Sequence, residues 1–272
     1  MRKISCKNKM PNGQPVRQKI DINSKLNYEI AYWLNQAEFN ENHLPIHYCD
    51  PDIYPDFIAL NTEKSKFYYT PKTALAFYSY DRTFDHLNGL YNAIYYNDKK
   101  LLEKYKKRYA NINFVIAPDY SIFDDIWRYE NESRLFKIRV IMLWFQIELR
   151  AIVIPNAIYV SPEKLPLYLS GFENCTTIAF STKGHMRYNS DIKRIKETVK
   201  YVVDNFPLKT IIVYSVCGKD DKVLKVFDYA TNNNVKVLIV NNTMRQRNRI
   251  LTMKSENIAS LRASNQKTFK FE

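Results

Sequence analysis

FVIAPDYS (114–121) and AIVIPNAIYVS (151–161) are two apolar runs separated by a long amphipathic segment, IFDDIWRYENESRLFKIRVIMLWFQIELR (122–150). Each apolar run reaches a proline that a polar residue follows, Pro118-Asp119 in the first and Pro155-Asn156 in the second. A strand, a helix and a second strand in this order are typical of a parallel β-α-β unit. The pattern predicts that Asp119 and Asn156 lie at the carboxyl ends of neighbouring strands, where α/β proteins usually place their sites.

The same alternation of apolar runs and helical segments continues on both sides of this unit. Further strands are predicted at FIALN (57–61), TALAFYSY (73–80), TTIAFSTKG (176–184), TIIVYSV (210–216) and VKVLIVNN (235–242). Helices are predicted from Asn23 onwards, over 83–109, 122–148, 190–206 and 222–234, and in a C-terminal segment up to about Arg262. Because the strand runs are almost continuously apolar, they indicate a mainly parallel sheet with helices on both faces.

The predicted fold class is therefore α/β, with about seven strands alternating with helices and two architectures open. The sheet is either an irregular β/α-barrel-like closure or an open doubly wound sheet. The strands end in similar polar residues, namely Asn61, Asp81, Asp119, Asn156, Ser181, Ser215 and Asn241. Such a set is expected to converge on one rim, which favours the barrel-like closure.

The domain organisation follows from composition. Residues 1–22 are basic and polar and contain two prolines and a glycine, so we expect a loosely ordered arm. Residues 23–242 form a single predicted α/β domain, and 243–272 form a predicted basic C-terminal helix and tail. A chain of 272 residues is long enough to bury a sizeable core.

The composition restricts the partners and the compartment. The formal net charge of +13 favours polyanions such as DNA, RNA, an acidic protein or an anionic membrane. The same charge is also expected if a Lys-rich and Asn-rich composition only reflects an AT-rich genome. Four widely spaced cysteines, no secretory signal and no apolar run of membrane-spanning length indicate a cytoplasmic protein without a membrane partner.

An ordered set of short motifs resembles a known family. The motifs are Pro-Asp-Tyr-Ser (118–121), Arg139, Trp-Phe-Gln (144–146), Val-Ile-Pro (153–155) and Ser-Thr-Lys-Gly (181–184). Together they resemble the domain-of-unknown-function family 4417 over about residues 73–184. Met142 and Leu149 depart from the family pattern, which usually has a small residue or glycine there. The resemblance implies a phage, plasmid or other mobile-element context and a polar cluster of Asp81, Asp119, Ser121, Arg139, Asn156 and Ser181.

Two carboxylates carry the first hypothesis about chemistry. Asp81 and Asp119 at adjacent strand ends could act as acid and base or hold a divalent cation, with Mg²⁺ the one candidate cofactor. Asp119 after Pro118 is equally the residue type that caps a following helix through an Asx-turn. The candidate catalytic residues are Asp119, Asp81, Arg139, Asn156 and Ser181. For Arg139 two roles stay open, an anion clamp at the rim and a salt bridge on its helix.

Basic clusters carry the second hypothesis. The candidate nucleic-acid- or anion-binding residues are Lys183, Lys104, Lys107, Arg108, Arg245, Arg247 and Arg249. Tyrosines interleave with the lysines of 99–109, a combination suited to phosphate contact and base stacking. Solvated helix faces are the alternative interpretation.

Several standard sites are not expected. The chain contains no G-x-G-x-x-G, P-loop, G-x-S-x-G or H-E-x-x-H motif. His43, His47 and Cys49 have the side chains of metal ligands, but Pro45 lies between the two histidines, and a loop is expected there. No residue is therefore assigned to a metal site.

Three functional hypotheses follow. In the first, the chain is an intracellular phage- or mobile-element-type protein that binds nucleic acid through its basic clusters. In the second, it is a hydrolase or nuclease with an acidic and basic site on the strand-end rim. In the third, it is a host-takeover protein that binds an acidic host protein.

Overall fold

The computed structural model describes residues 30–63 and 69–254. Its seven strands are β1 (Phe57–Leu60), β2 (Thr73–Ala76), β3 (Phe114–Ile116), β4 (Ile152–Ile154), β5 (Thr177–Ser181), β6 (Thr210–Tyr214) and β7 (Lys236–Val240). The helices within the described ranges are α1 (Ile30–Leu34), α2 (Leu90–Tyr95), α3 (Lys99–Tyr109), α4 (Arg128–Leu149), α5 (Leu165–Tyr168), α6 (Asn189–Asn205), α7 (Asp220–Leu224) and α8 (Asp228–Asn232), followed by helical residues 243–254.

The strands form a ring in the order of the chain. β1 to β4 pair in parallel as one sheet, and β5 to β7 pair in parallel as a second sheet. An isolated parallel bridge, Asn156 to Ala179, joins the sheets at one seam, and a bridge between Phe57 and Asn241 joins them at the other. The predicted α/β class with seven parallel strands is confirmed, and the two bridges close the strands as the barrel-like alternative.

The core lies inside the ring and between the strands and helices. Leu75, Val115, Ile178 and Ile212 are fully buried, as expected for strands covered on both faces. Helix α4 is the longest described helix, and its middle stretch, 138–145, is buried throughout. A helix buried all round lies deep in the fold rather than on its surface, so a side chain there faces protein on every side.

Two predicted helices are each interrupted. The segment 83–109 contains α2 and α3, separated at Asn97, whose φ of 45° is left-handed, and at Asp98, whose side chain accepts a 3.0 Å hydrogen bond from the amide of Leu101. Because a left-handed residue ends a helix and an aspartate cap begins one, a single helix cannot pass through these residues. The segment 222–234 is likewise divided between α7 and α8.

Several predictions fall outside the described ranges. These are the loosely ordered arm at 1–22, the helix start at Asn23, and the tail from 255 onwards. Among the described residues, no helix combines the length and the apolar character that crossing a membrane requires.

Candidate functional site

The loops that follow β2, β3, β4 and β5 enclose a cleft of about 620 Å³ at the carboxyl ends of these strands. Its polar lining includes Asp119, Ser181 and Lys183, and its aromatic lining includes Tyr78 and Tyr159. This is the rim at which β/α barrels place their sites. We refer to this space as the strand-end cleft.

Asp119 is held in the cleft by a short relay of side chains. Nδ2 of Asn156 donates a 2.8 Å hydrogen bond to Oδ1 of Asp119, and the hydroxyl of Tyr78 donates a 2.7 Å hydrogen bond to Oδ1 of Asn156. Because the amide oxygen of Asn156 is engaged by Tyr78, its NH₂ group is directed at Asp119. The second carboxyl oxygen, Oδ2, has no hydrogen-bond partner within the described residues.

The surroundings of Asp119 change its acidity. Burial raises the pKa of this carboxyl to about 7, and the nearby charge of Asp81 acts in the same direction. The hydrogen bond from Asn156 and the ammonium group of Lys183 lower the pKa but do not offset burial. At neutral pH both the protonated and the ionised form are therefore populated, as a general acid–base requires.

Asp81 lies next to the cleft and holds one of its loops. Its carboxylate accepts hydrogen bonds from the amide of Ser121, at 3.2 Å, and from the Ser121 hydroxyl, at 3.1 Å. These bonds fix the turn that immediately follows Asp119. Asp81 thus positions the loop and acts on Asp119 through its charge.

Lys183 brings a cation to the cleft. It lies in the loop after β5, where Gly184 turns the chain with a φ of 87°, and its ammonium group donates a 2.6 Å hydrogen bond to the carbonyl of Tyr78. Burial lowers the pKa of Lys183, and the negative charge of Asp119 opposes this effect. Ser181 is buried, and its hydroxyl accepts a 3.3 Å hydrogen bond from the amide of Lys183. Ser181 therefore shapes the loop that carries the lysine.

Sequence reasoning missed the aromatic residues of the cleft. Tyr78 and Tyr159 lie within it, and the Tyr159 hydroxyl donates a 2.7 Å hydrogen bond to the carbonyl of Ser181. Tyr80 and Phe123 also line it, yet both rings are exposed to solvent. With 21 tyrosines and 15 phenylalanines in the chain, residue type did not single these out. Tyr78 and Tyr80 fall inside the predicted strand 73–80 and Tyr159 inside the apolar run 151–161, whereas the strands of the structure end earlier, at Ala76 and Ile154.

Arg139, one of the predicted catalytic residues, does not line the strand-end cleft. It lies in the buried middle of α4, with no exposed surface, and donates a 2.7 Å hydrogen bond to the carbonyl of Ser170. Its guanidinium carbon lies 3.3 Å from the centre of the Phe172 ring. Burial lowers the pKa of Arg139 to about 9, and neither its Nε nor its Nη1 atom has a hydrogen-bond partner among residues 30–63 and 69–254. It lies beside the buried His47, whose pKa is lowered to about 3 by burial and by the charge of Arg139.

The predicted basic residues do not share one surface role. Arg245 is buried, and both Arg245 and Arg249 form ion pairs with Asp220. Arg108 is half-buried, and its guanidinium lies 5.2 Å from the centre of the Tyr109 ring. The others are exposed, namely Lys104, Lys107 and Arg247, with Lys107 3.6 Å from Glu103.

The described residues contain no group of three or more His, Cys, Asp or Glu side chains that could hold a metal ion. Asp119 could supply one carboxylate oxygen to a divalent cation, but both oxygens of Asp81 already accept hydrogen bonds from Ser121. Since Mg²⁺ takes six oxygen ligands in total, most would have to come from water and substrate.

Fold and site together define a parallel β/α-barrel protein with a carboxyl group of raised pKa in its strand-end cleft. The chain belongs to DUF4417, a domain of unknown function, and the family's sequence model matches residues 52–230. The matched range contains every residue that lines the strand-end cleft. Neither a curated protein nor a solved structure matches the chain.

Proposed function

We propose that the protein is an enzyme of the hydrolase class and that the carboxyl group of Asp119 is its general acid–base. The observation that carries the proposal is the state of this one group. It lies in the strand-end cleft, with one oxygen bound by Asn156, the other without a partner, and a pKa of about 7. A perturbed carboxyl in a cleft at this edge of a barrel is the physical mark of a reacting group.

The charge of the cleft favours an anionic ester as the substrate. Lys183 contributes an ammonium group whose charge lowers the pKa of Asp119, and Arg82 lies in the neighbouring loop beside Tyr80. An ammonium group at this position stabilises negative charge that develops on a substrate oxygen in the transition state. We therefore propose a phosphate ester or a carboxylate-bearing ester.

In the proposed reaction, Asp119 takes a proton from water and later gives it to the leaving oxygen. Water attacks the phosphorus or carbonyl atom of the ester, and the Asp119 carboxylate accepts a proton from that water. The bond to the leaving oxygen breaks, and Asp119 returns the proton to that oxygen. The products are an acid and an alcohol, and the enzyme is unchanged.

The test is a kinetic comparison of two matched variants. Wild-type protein is assayed with the anionic ester bis(p-nitrophenyl) phosphate, and with uncharged p-nitrophenyl acetate for comparison, each with and without added Mg²⁺. We expect Asp119→Asn to lower kcat by about 10²-fold or more, the usual contribution of a general acid–base. Asp125→Asn makes the same change of charge at an exposed position in the same loop and should leave kcat unchanged.

The melting temperature separates the two roles of Asp119. A catalytic role predicts that Asp119→Asn loses activity without melting earlier. If the variant keeps its activity, or loses it only together with a lower melting temperature, Asp119 is a structural cap and the proposal fails.

The exposed lysines of α3 favour a second proposal, non-specific nucleic-acid binding. Lys104 and Lys107 lie on the solvent face of that helix, and the chain carries a net charge of +13. Such binding weakens steeply with salt, by roughly one log unit in affinity per log unit of salt for each phosphate contact. Lys104→Ala with Lys107→Ala should then reduce the salt slope by about 2.

A further inference from the structure

We infer that the substrate of the strand-end cleft is single-stranded nucleic acid, bound by base stacking on Tyr80 and Phe123. This inference rests on the proposed function, because it names the substrate class of the same cleft. It differs from binding through the exposed lysines of α3, Lys104 and Lys107, which do not line the cleft.

The first observation is two exposed rings in the lining of one cleft. Tyr80, in the loop after β2, has 76 % of its surface exposed, and Phe123, in the loop after β3, has 49 % exposed. Neither ring is needed to fill the core. Exposed aromatic rings that line a cleft are typical of binding surfaces, since they leave apolar area available for a ligand.

The second observation is a cation beside each of two exposed rings. The Arg82 guanidinium lies 5.5 Å from the centre of the Tyr80 ring, and no described carboxylate forms an ion pair with it. Later in the loop that carries Lys183, Arg187 lies 5.5 Å from the centre of the exposed Tyr188 ring, and this pair lies outside the lining of the cleft. A ring with a cation beside it can contact a base and a neighbouring phosphate together.

The third observation is the size of the cleft. A volume of about 620 Å³ lies in the range of small-ligand sites, which is enough for one nucleotide unit at Asp119. The rings beside it would hold the neighbouring bases of the same strand. A duplex keeps its bases stacked inside the helix, so it cannot use these rings.

The cations also decide between two polymers that stack on aromatic rings. Sugars of an uncharged oligosaccharide pack on tyrosine and phenylalanine as bases do, but they gain no charge–charge attraction from Lys183, Arg82 or Arg187. The formal net charge of +13 acts in the same direction, since it raises the rate of encounter with a polyanion.

The experiment is a binding titration with the full-length Asp119→Asn protein, which removes turnover. Fluorescence anisotropy is measured with a labelled 20-nucleotide single-stranded DNA, the corresponding RNA, a duplex of the same sequence, and a labelled uncharged oligosaccharide. Tyr80→Ala and Phe123→Ala should each raise Kd for the single strand by about tenfold, within the range for loss of one stacked base.

The control is Tyr96→Ala, which removes an equally exposed tyrosine, 70 % exposed, outside the cleft. It should change Kd by less than twofold. Tyr80→Phe keeps the ring and should bind as the parent does. Melting temperatures of all variants show whether a loss of binding reflects a loss of fold.

Three outcomes would overturn the inference. The first is that Tyr96→Ala raises Kd for the single strand as much as the cleft variants do. The second is that neither Tyr80→Ala nor Phe123→Ala changes Kd. The third is that the protein binds the duplex or the oligosaccharide more tightly than the single strand. The proposed function is judged separately. If Asp119→Asn abolishes hydrolysis of the small ester but the ring variants leave Kd for the single strand unchanged, the proposed enzyme is supported and single-stranded nucleic acid is rejected as its substrate. If the single strand binds through the rings but Asp119→Asn hydrolyses the small ester as fast as wild type does, the proposed role of Asp119 is rejected.

Discussion

The amide group of Asn156 donates a 2.8 Å hydrogen bond to the carboxyl group of Asp119 across the ends of two adjacent strands, β4 and β3. Asn156 is itself held by the hydroxyl of Tyr78, from the segment after β2. Three consecutive strand ends thus determine the position of one carboxyl oxygen, while the other has no hydrogen-bond partner in the part of the chain that the structure describes. The predictions below test this arrangement and the buried groups around it.

Tyr78→Phe tests the relay. The change removes the hydroxyl that binds Asn156 and keeps the ring that stacks on Tyr214 at 4.8 Å. The buried amide oxygen of Asn156 then lacks a partner, which should cost about 1–3 kcal/mol of unfolding free energy. We expect kcat to fall by about tenfold, equivalent to ~1.4 kcal/mol. Urea unfolding and steady-state kinetics measure the two effects, and an unchanged kcat would show that Asp119 does not depend on the relay.

Asp81→Asn tests the charge that acts on Asp119. Because the Asp81 carboxylate raises the pKa of Asp119, its removal should shift the inflection of kcat/KM to lower pH. One acceptor for Ser121 is kept, so stability should fall by only about 1 kcal/mol. The measurement is a pH–rate profile of both proteins. An inflection that stays near pH 7 in the variant would contradict the assignment.

The raised pKa of Asp119 also makes a prediction about stability. The folded pKa of about 7 lies above the ordinary value of 3.8, so the folded state binds more protons than the unfolded state between these values. Stability contributed by this group is therefore present below pH 4 and lost as pH rises towards 7. At pH 8, Asp119→Asn should be more stable than wild type by about 1–2 kcal/mol, after allowance for solvent screening of a half-buried group.

The control for that measurement is pH 4, where Asp119 is protonated in the folded state and only partly ionised in the unfolded state, so little ionisation penalty remains. There the Asn variant should gain little over wild type. A difference that is the same at pH 4 and pH 8 would mean that packing, and not ionisation, causes it.

His47 makes a prediction of the opposite sign. Its folded pKa of about 3 lies below its ordinary value of 6.5, so below pH 6.5 the unfolded state binds the extra proton. Stability should fall with decreasing pH by up to ~1.4 kcal/mol per unit. His47→Gln should remove about 2 kcal/mol of the loss between pH 6.5 and pH 5. Denaturant unfolding at both pH values checks this, and an equal pH dependence in the two proteins would refute it.

Arg139→Met separates a buried structural residue from a site residue. The charge of Arg139 is buried without a carboxylate partner in an ion pair, and replacement of such a charge by an apolar side chain is often neutral or stabilising. We expect the melting temperature to stay the same or rise. We also expect kcat to change by less than twofold, because Arg139 does not line the cleft. A large loss of activity in a stably folded variant would show that Arg139 contributes to the function of the cleft.

The sequence was sufficient for the α/β class, for the seven strands and for part of the site. The apolar runs located all seven strands, and the residues after the prolines, Asp119 and Asn156, do meet at the rim. Their convergence follows from parallel strands ending at one edge, which periodicity alone reveals. Strand closure was left open because the seams rest on two isolated bridges that no local pattern records.

The rest depended on contacts between distant parts of the chain. Arg139 could face the rim or the core, and only the burial of α4 on all sides decides this. Arg245 was grouped with exposed cations because Asp220, its partner, lies 25 residues earlier. The helix break at Asn97 depends on a backbone angle, φ 45°, that asparagine permits but does not require.

Asn156 also belongs to the seam between the two sheets, where the amides of Ala157 and Ala179 donate the 2.8 Å hydrogen bonds that join them. Local opening of the barrel wall at this seam would move Asn156 and break its hydrogen bond to Asp119. Under the proposed function, proton transfer by Asp119 would then depend on how often the wall opens. Amide hydrogen exchange at these two alanines would record each opening, and a bound substrate should slow it before any product is formed.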